Sequence, residues 1–299
     1  MNMIMSVLMG VVQGIAEFLP ISSSGHLTLF QTFFGMEDEE SKNMLFTVLL
    51  HFGTFLSVCV YYWRDVLDMI REFFLLVWGL IQIARDGIRG LMGKEPLRRE
   101  KPEGHIPPAR RMVLLIVVAT LPLFVIVPVN GLLEQAFSNS VLVSLALLFT
   151  GCILFFSDRM AKGHKNAKTA TVLDALLVGC AQAVGTIPGI SRSGITISAG
   201  LLRGYDRKFA VRFSFLMSLP AVLGANVLEI SDAMQQQVDP GQLPIYLVGV
   251  VVAAVVGYFA IRLVNMLSNK GKFGMFAYYC WVVGLGSLIA GLVLPFLKG

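Results

Sequence analysis

Charge is what this sequence has least of. Only 14% of its 299 residues are Asp, Glu, Lys or Arg, against 56% apolar, where a soluble globular chain carries about 25% charged residues. So few charges cannot cover a water-exposed surface of this size, and lipid is the expected solvent. Cysteine is scarce too. Cys59, Cys152, Cys180 and Cys280 all fall in apolar stretches with no metal-ligand spacing, which excludes a disulfide framework or zinc site and leaves small packing residues. The net charge of +5 is no nucleic-acid signal, because the basic residues gather at the ends of apolar stretches. The N-terminus lacks the basic region of a cleavable signal peptide, so it is expected to stay in the mature protein.

Long apolar runs are abundant instead. A membrane span needs roughly 20 apolar residues. Six stretches qualify: residues 45–63, 111–129, 141–157, 209–228, 244–267 and 275–297. Two more are apolar but interrupted: 4–34, broken at Pro20 and the serines after it, and 172–202, broken at Pro188-Gly189. A ninth, 66–88, contains Asp68, Arg71, Glu72 and Arg85.

The distribution of basic residues orients these runs. Residues 85–111 hold eight Lys/Arg against four acids; 158–171 and 203–212 each hold four against one; 262–272 hold three and no acid. Residues 130–140, 229–243 and 35–42 are acidic by comparison, with one, three and four acids and at most one base. A single arrangement satisfies all seven. The stretch 45–63 runs from outside to inside, 66–88 lies along the cytoplasmic interface as an amphipathic helix, and the later spans alternate. The interrupted segment 172–202 then enters and leaves from the cytoplasm. Glu229 and Asp232 fall at the outer end of a span, as a solvated rim.

An internal repeat supports this arrangement. At an offset of 169, Gly10, Gln13, Ile21, Ser22, Ser24 and Gly25 align with Gly179, Gln182, Ile190, Ser191, Ser193 and Gly194. Each half reads as one broken segment followed by three spans, and three is odd, so the second half is inverted relative to the first. The expected fold is an all-α polytopic membrane protein of six spans and two re-entrant segments, built as an inverted repeat. Repeat one covers 1–157 with an insertion at 66–110, and repeat two covers 172–299, together one integral membrane domain over 1–299.

Ionisable groups at membrane depth mark functional sites. Gln13 and Glu17 are four apart, hence on one helix face. Ser22, Ser23, Ser24, Gly25 and His26 follow, with His26 one turn beyond Ser22 and Ser23. In the second repeat, Arg192 stands where Ser23 stands in the first, between Ser191 and Ser193-Gly194. Arg suits a phosphate because its planar fork binds two oxygens at once, and helix starts after the two serine runs would aim free N–H groups at the same anion. His26 can act as acid or base. Glu17 can orient it, act as the base, or hold a divalent cation. Blander readings stand beside these: Ser24 or Ser193 bonded to a carbonyl one turn back, and Arg192 as a structural tie. His51, inside the first span, fits either a core or a site-lining position.

The stretches QGIAEFLPISSSGH (13–26) and PGISRSGIT (188–196) resemble the two signatures of the undecaprenyl pyrophosphate phosphatase (bacitracin-resistance) family, and FSFLMSLP (213–220) is also similar. The resemblance covers essentially the whole chain. It implies hydrolysis of undecaprenyl pyrophosphate to the monophosphate, recycling the lipid carrier for cell-wall synthesis and protecting against bacitracin. It further implies a bacterial plasma-membrane location, an outward-facing pocket, and a divalent cation such as magnesium or calcium. The implied catalytic residues are Glu17, Ser23, His26 and Arg192. Gln13, Ser22, Ser24, Gly25, Ser191, Ser193, Gly194 and Thr196 would bind substrate. Glu17 and Gln13 would hold the metal, although Gln13 stands where other members carry Glu. A homodimer is compatible with the sequence. Two rival readings remain at this level: a transporter or flippase of the lipid phosphate using the same site, and a purely structural membrane protein.

Overall fold

Between helices already in lipid there is no hydrophobic drive, because lipid tails are as apolar as leucine; close backbone approach and polar ties hold them instead. The first helix shows both. In the computed structural model, which describes residues 2–26, 29, 44–91, 106–129, 131, 139–160, 163–233 and 240–298, α1 covers Met3–Phe18. Asn2 caps it by accepting from the Met5 N–H at 2.8 Å. Its buried stripe is Ser6, Gly10, Gln13, Gly14 and Glu17, while Ile4, Leu8, Val12 and Ile15 face outward. Apart from Phe18 at its end, the buried residues of this helix are polar or small.

The remaining helices are α2 (Met44–Tyr61), α3 (Trp63–Leu91), α4 (Pro108–Thr120), α5 (Leu123–Ile126), α6 (Ser140–Met160), α7 (Val172–Val184), α8 (Arg192–Leu202), α9 (Arg207–Ala233), α10 (Leu243–Asn269) and α11 (Met275–Lys298). Among the described residues there is no sheet, only an isolated bridge between Lys165 and Tyr205. Among the described residues, five helical stretches are long and apolar enough to cross a membrane: Pro108–Ile126, Ser140–Arg159, Arg207–Val227, Leu243–Asn269 and Met275–Val293. A sixth arises if α2 and α3 are counted together, but the axis turns by 93° between them, so α3 leaves the direction of α2. No α3 side chain is buried. The acidic stretch at 35–42, the residues around Glu134 and residues 92–105 of the insertion lie outside the described residues, as do the side chains of Glu229 and Asp232.

Two close packings organise the bundle. α1 lies on α10, and α7 lies on α4. A Cβ at Gly10 would stand 2.6 Å from the Gly249 carbonyl oxygen, and one at Gly14 2.9 Å from that of Ala253. On α7, Gly179 abuts the backbone of Ala119 in the same way. Ser57 on α2 donates to the Ala254 carbonyl at 2.8 Å, tying α2 to α10.

One end of the bundle is laced by ion pairs. Asp174, fully buried in the first turn of α7, accepts from Lys165 at 2.8 Å and from Arg203, at the end of α8, at 2.9 Å. It also closes a capping box with Thr171. Arg207 at the start of α9 pairs with Asp158 at the end of α6, and Asp158 also accepts from the Gly274 N–H at 2.9 Å. Arg212 pairs with Asp65 at the start of α3, and Arg111 donates to the Ala170 carbonyl at 2.8 Å.

Replacing Gly14 with Leu should prevent α1 from seating on α10, because the new side chain meets backbone instead of a side chain that could move. Overpacking costs about 1–3 kcal/mol or more. The expected result is a clear fall in thermal unfolding temperature in detergent, with Gly79→Leu, at a site with nothing within 4 Å of its Cβ position, as the unaffected control.

Candidate active site

Both interrupted segments break at a proline-containing turn, although the left-handed residue falls at different positions in the two. After α1 the chain turns at Pro20-Ile21, and Ser22 takes a left-handed φ of 69°. A helical turn restarts at residue 23. The Ser22 hydroxyl accepts from the Gly25 N–H at 3.2 Å and lies 3.4 Å from Ser24 Oγ. After α7 the chain turns at Pro188-Gly189, where Gly189 has φ 82°. There the Ser191 hydroxyl accepts from the Gly194 N–H at 3.1 Å and lies 3.3 Å from Ser193 Oγ. The offset of 169 is thus repeated hydrogen bond by hydrogen bond. Each restart leaves its first N–H groups, those of Ser23 and Ser24 and of Arg192 and Ser193, without an intrahelical partner.

The two breaks touch. A Cβ at Gly25 would lie 2.9 Å from Gly189 Cα, and one at Gly194 would lie 3.2 Å from the Pro20 ring. Gly189 itself is pressed against the Val143 carbonyl of α6, so only glycine suits both its φ and its surroundings.

Beside this contact is a cavity of about 280 Å³, whose polar lining is Glu17, Ser22, Ser23, Ser24, His51, Thr186, Ser191, Arg192 and Asn226. Arg192 donates to Glu17 Oε1. The other carboxylate oxygen, Oε2, accepts from Ser23 Oγ at 3.0 Å and from Gln13 Nε2 at 3.2 Å. Gln13 Nε2 also approaches His51 Nδ1 at 3.1 Å. An amide N–H can only donate, so His51 Nδ1 accepts and its proton sits on Nε2. His51 Nδ1 is 3.8 Å from Glu17. The arrangement is a nucleophile-class hydroxyl on a carboxylate, with that carboxylate fixed by a guanidinium from the other break.

The structure thus brings Glu17, Ser22, Ser23, Ser24, Ser191 and Arg192 to one cavity. Gln13 stands behind Glu17 as its support. Gly25 and Gly194 form the contact between the breaks, and Thr196 bonds Ser214 at 2.6 Å and the Arg192 carbonyl at 2.7 Å, holding α8 to α9. Ser193 leans on the Leu19 carbonyl at 3.4 Å. His26 is the exception. Its Nδ1 lies 2.8 Å from the Ser22 carbonyl and therefore donates, while Nε2 lies 2.9 Å from the Tyr279 hydroxyl, with the two rings stacked at 5.5 Å. The ring is turned to α11 and does not line the cavity. His51, left open by the sequence, does line it. Thr186 and Asn226 also do, and neither carries a motif that would have marked it.

Comparison with other proteins shows the family of the chain. A sequence profile of the family described as "Bacitracin resistance protein BacA" matches residues 6–286. An undecaprenyl-diphosphatase of Methanosphaera stadtmanae is 34% identical over 98% of this chain and all of its own length. One from Halothermothrix orenii is 37% identical over 95% of this chain and 96% of its own. One from Treponema denticola is 38% identical over 96% of each.

If the Arg192–Glu17 pair is the tie between the breaks, removing one charge strands the other in a buried setting. Arg192→Met should cost about 3 kcal/mol of stability, nearer the lower end for buried pairs because Arg192 is part-exposed. Glu17→Gln combined with Arg192→Met should recover part of that loss. Strictly additive losses in thermal unfolding of the two single variants and the double variant would rule the tie out.

Proposed function

Because the chain belongs to the bacitracin resistance protein BacA family, we infer that it is an undecaprenyl-diphosphatase, cleaving undecaprenyl diphosphate to the monophosphate and phosphate. The observation that carries this chemically is the Ser23–Glu17–Arg192 line across the contact of the two breaks. No described feature favours transport of the lipid over its cleavage.

In the proposed mechanism the diphosphate enters the cavity and is gripped by Arg192 and the unpaired N–H groups at the two helix restarts. Ser23 Oγ attacks the terminal phosphorus, and the bond from that phosphorus to the bridging oxygen breaks, so undecaprenyl phosphate leaves. The hydroxyl proton passes to Glu17 Oε2, which already accepts it as a hydrogen bond. Water then attacks the phosphoserine, releasing phosphate and restoring Ser23. We assign proton acceptance to Glu17, since both ring nitrogens of His26 are engaged outside the cavity; His26 instead fixes the Ser22 turn.

A divalent cation fits these residues as one shared with the substrate. Among the described residues no three His, Cys, Asp or Glu side chains converge, and the cavity's own carboxylate is Glu17. Magnesium is often held by one carboxylate plus substrate phosphates. Glu17 would hold it, with Gln13 as a second ligand once its amide is turned to bring the oxygen where Nε2 stands, and it would offset phosphate charge.

Segments 4–34 and 172–202 are proposed as re-entrant halves of an inverted repeat. The Asp174–Arg203 pair supports this for the second, because it joins the start of α7 to the end of α8. The shared hydrogen-bond pattern at the breaks and the matched packing of α1 on α10 and α7 on α4 support the repeat. α3 is proposed to lie along the membrane surface, given its 93° turn and its exposed Phe74, Trp78 and Ile81. The ion-paired end carries the basic stretches and is assigned to the cytoplasm of a bacterial plasma membrane. Asn226 lies 19 residues beyond Arg207, or about 28 Å along the helix, so the cavity reaches toward the outer side. Hydrolysis there would return the lipid carrier for cell-wall synthesis and limit bacitracin action.

Phosphate release from C55 isoprenyl diphosphate by the purified protein tests the reading. Arg192→Ala and Ser23→Ala should each lower turnover by roughly 10³-fold. Near-normal release by Ser23→Ala would move the attack to water. EDTA should abolish release and magnesium or calcium restore it; an indifferent enzyme would remove the cation from the mechanism.

A further inference from the structure

The face of α9 that closes the cavity presents Val222, Ala225 and Asn226, spaced by three and four residues and therefore on one side of the helix. Asn226 is 8% exposed, and its Nδ2 has no hydrogen-bond partner among the described residues. Buried side-chain amides are normally paired, and leaving one unpaired is costly. Several other polar groups of the wall already have protein partners. Glu17 accepts from Arg192, Ser23 and Gln13. Ser191 accepts from Gly194, and Thr186 donates to the Ala183 carbonyl at 2.7 Å. The Asn226 Nδ2 is thus a buried donor at the cavity wall with no partner among the described residues.

Resting on the reading of this cavity as a diphosphate site, we propose that Asn226 is a substrate-binding residue whose amide donates a hydrogen bond to a non-reacting oxygen of the lipid diphosphate. An anion rich in acceptor oxygens is the complement of an unpaired N–H. The amide can turn about its terminal bond to present Nδ2 to the cavity. A neutral donor on α9 would then act with the charged donor Arg192 on α8, so that two elements of the cavity wall hold the diphosphate. Such a contact exists equally in the bound and the transition state, so its loss appears in KM.

Steady-state kinetics on C55 isoprenyl diphosphate test this, alongside thermal stabilisation by methylenediphosphonate, which binds without turnover. Asn226→Ala should raise KM about tenfold with kcat within about threefold, the size of one neutral hydrogen bond. Asn226→Asp should raise it further, because a carboxylate replaces the donor next to phosphate. Asn226→Ser should recover part of the affinity, and serves as the test variant should the alanine variant not fold. Unchanged KM in the Ala, Asp and Ser variants, with wild-type unfolding temperatures, would overturn the proposal. So would equal stabilisation of wild type and variants by methylenediphosphonate. Absence of hydrolysis by wild type, with methylenediphosphonate still protecting it more than Asn226→Ala, would fell the phosphatase reading and leave Asn226 standing as a diphosphate ligand.

Discussion

A carboxylate and a guanidinium 175 residues apart in sequence meet in this protein, and the architecture around them can be understood as what that meeting requires. A charge in the membrane interior is tolerated when it faces a cavity and has a partner. Glu17 has three donors, and each comes from a different part of the chain's logic: Gln13 from its own helix, Ser23 from the restart after the first break, Arg192 from the restart after the second. For these to converge, the two breaks must touch, and they touch through Gly25 and Gly189, where no side chain keeps them apart. The glycine face of α1 on α10 sets the depth and rotation of Glu17 by the same means.

Much of this could be read before any coordinates. The helix face shared by Gln13 and Glu17 follows from a spacing of four, and the alignment of Ser22-Gly25 with Ser191-Gly194 pointed to two helix restarts, whose shared hydrogen-bond pattern only the coordinates display. Charge counts per loop grouped residues 158–171 and 203–212 as one set of basic stretches, and Arg203, Arg207 and Arg212 are the partners of Asp174, Asp158 and Asp65. Spacing fixes which face a residue occupies, but not which way a flexible ring then turns. His26 shows the difference: it sits one turn from Ser22 as expected, yet Tyr279, 253 residues away, draws its ring out of the cavity. Asn226 was invisible for a related reason. A single amide in an apolar helix has no periodicity to betray it, and its position only acquires meaning once α9 is seen closing the far wall.

The division of labour among the motif residues is also sharper than a motif suggests. Thr196 and Gly194 belong to the frame, joining α8 to α9 and to Pro20, whereas Ser23 and Arg192 face the space where chemistry can occur. Within one nine-residue signature, then, packing and reactivity are carried by neighbouring positions.

The pairing of Glu17 with Arg192 also sets an order in time. Chains emerge at about 5–20 residues per second, so the 175 residues between them represent roughly 9–35 s of synthesis. During that interval α1 has its glutamate but not the arginine that neutralises it. A lone carboxylate is poorly tolerated in hydrocarbon, so the first segment has to wait at the water boundary, or carry a proton, until the second break has been made. The oldest part of the nascent chain is in this sense among the last to reach its final place.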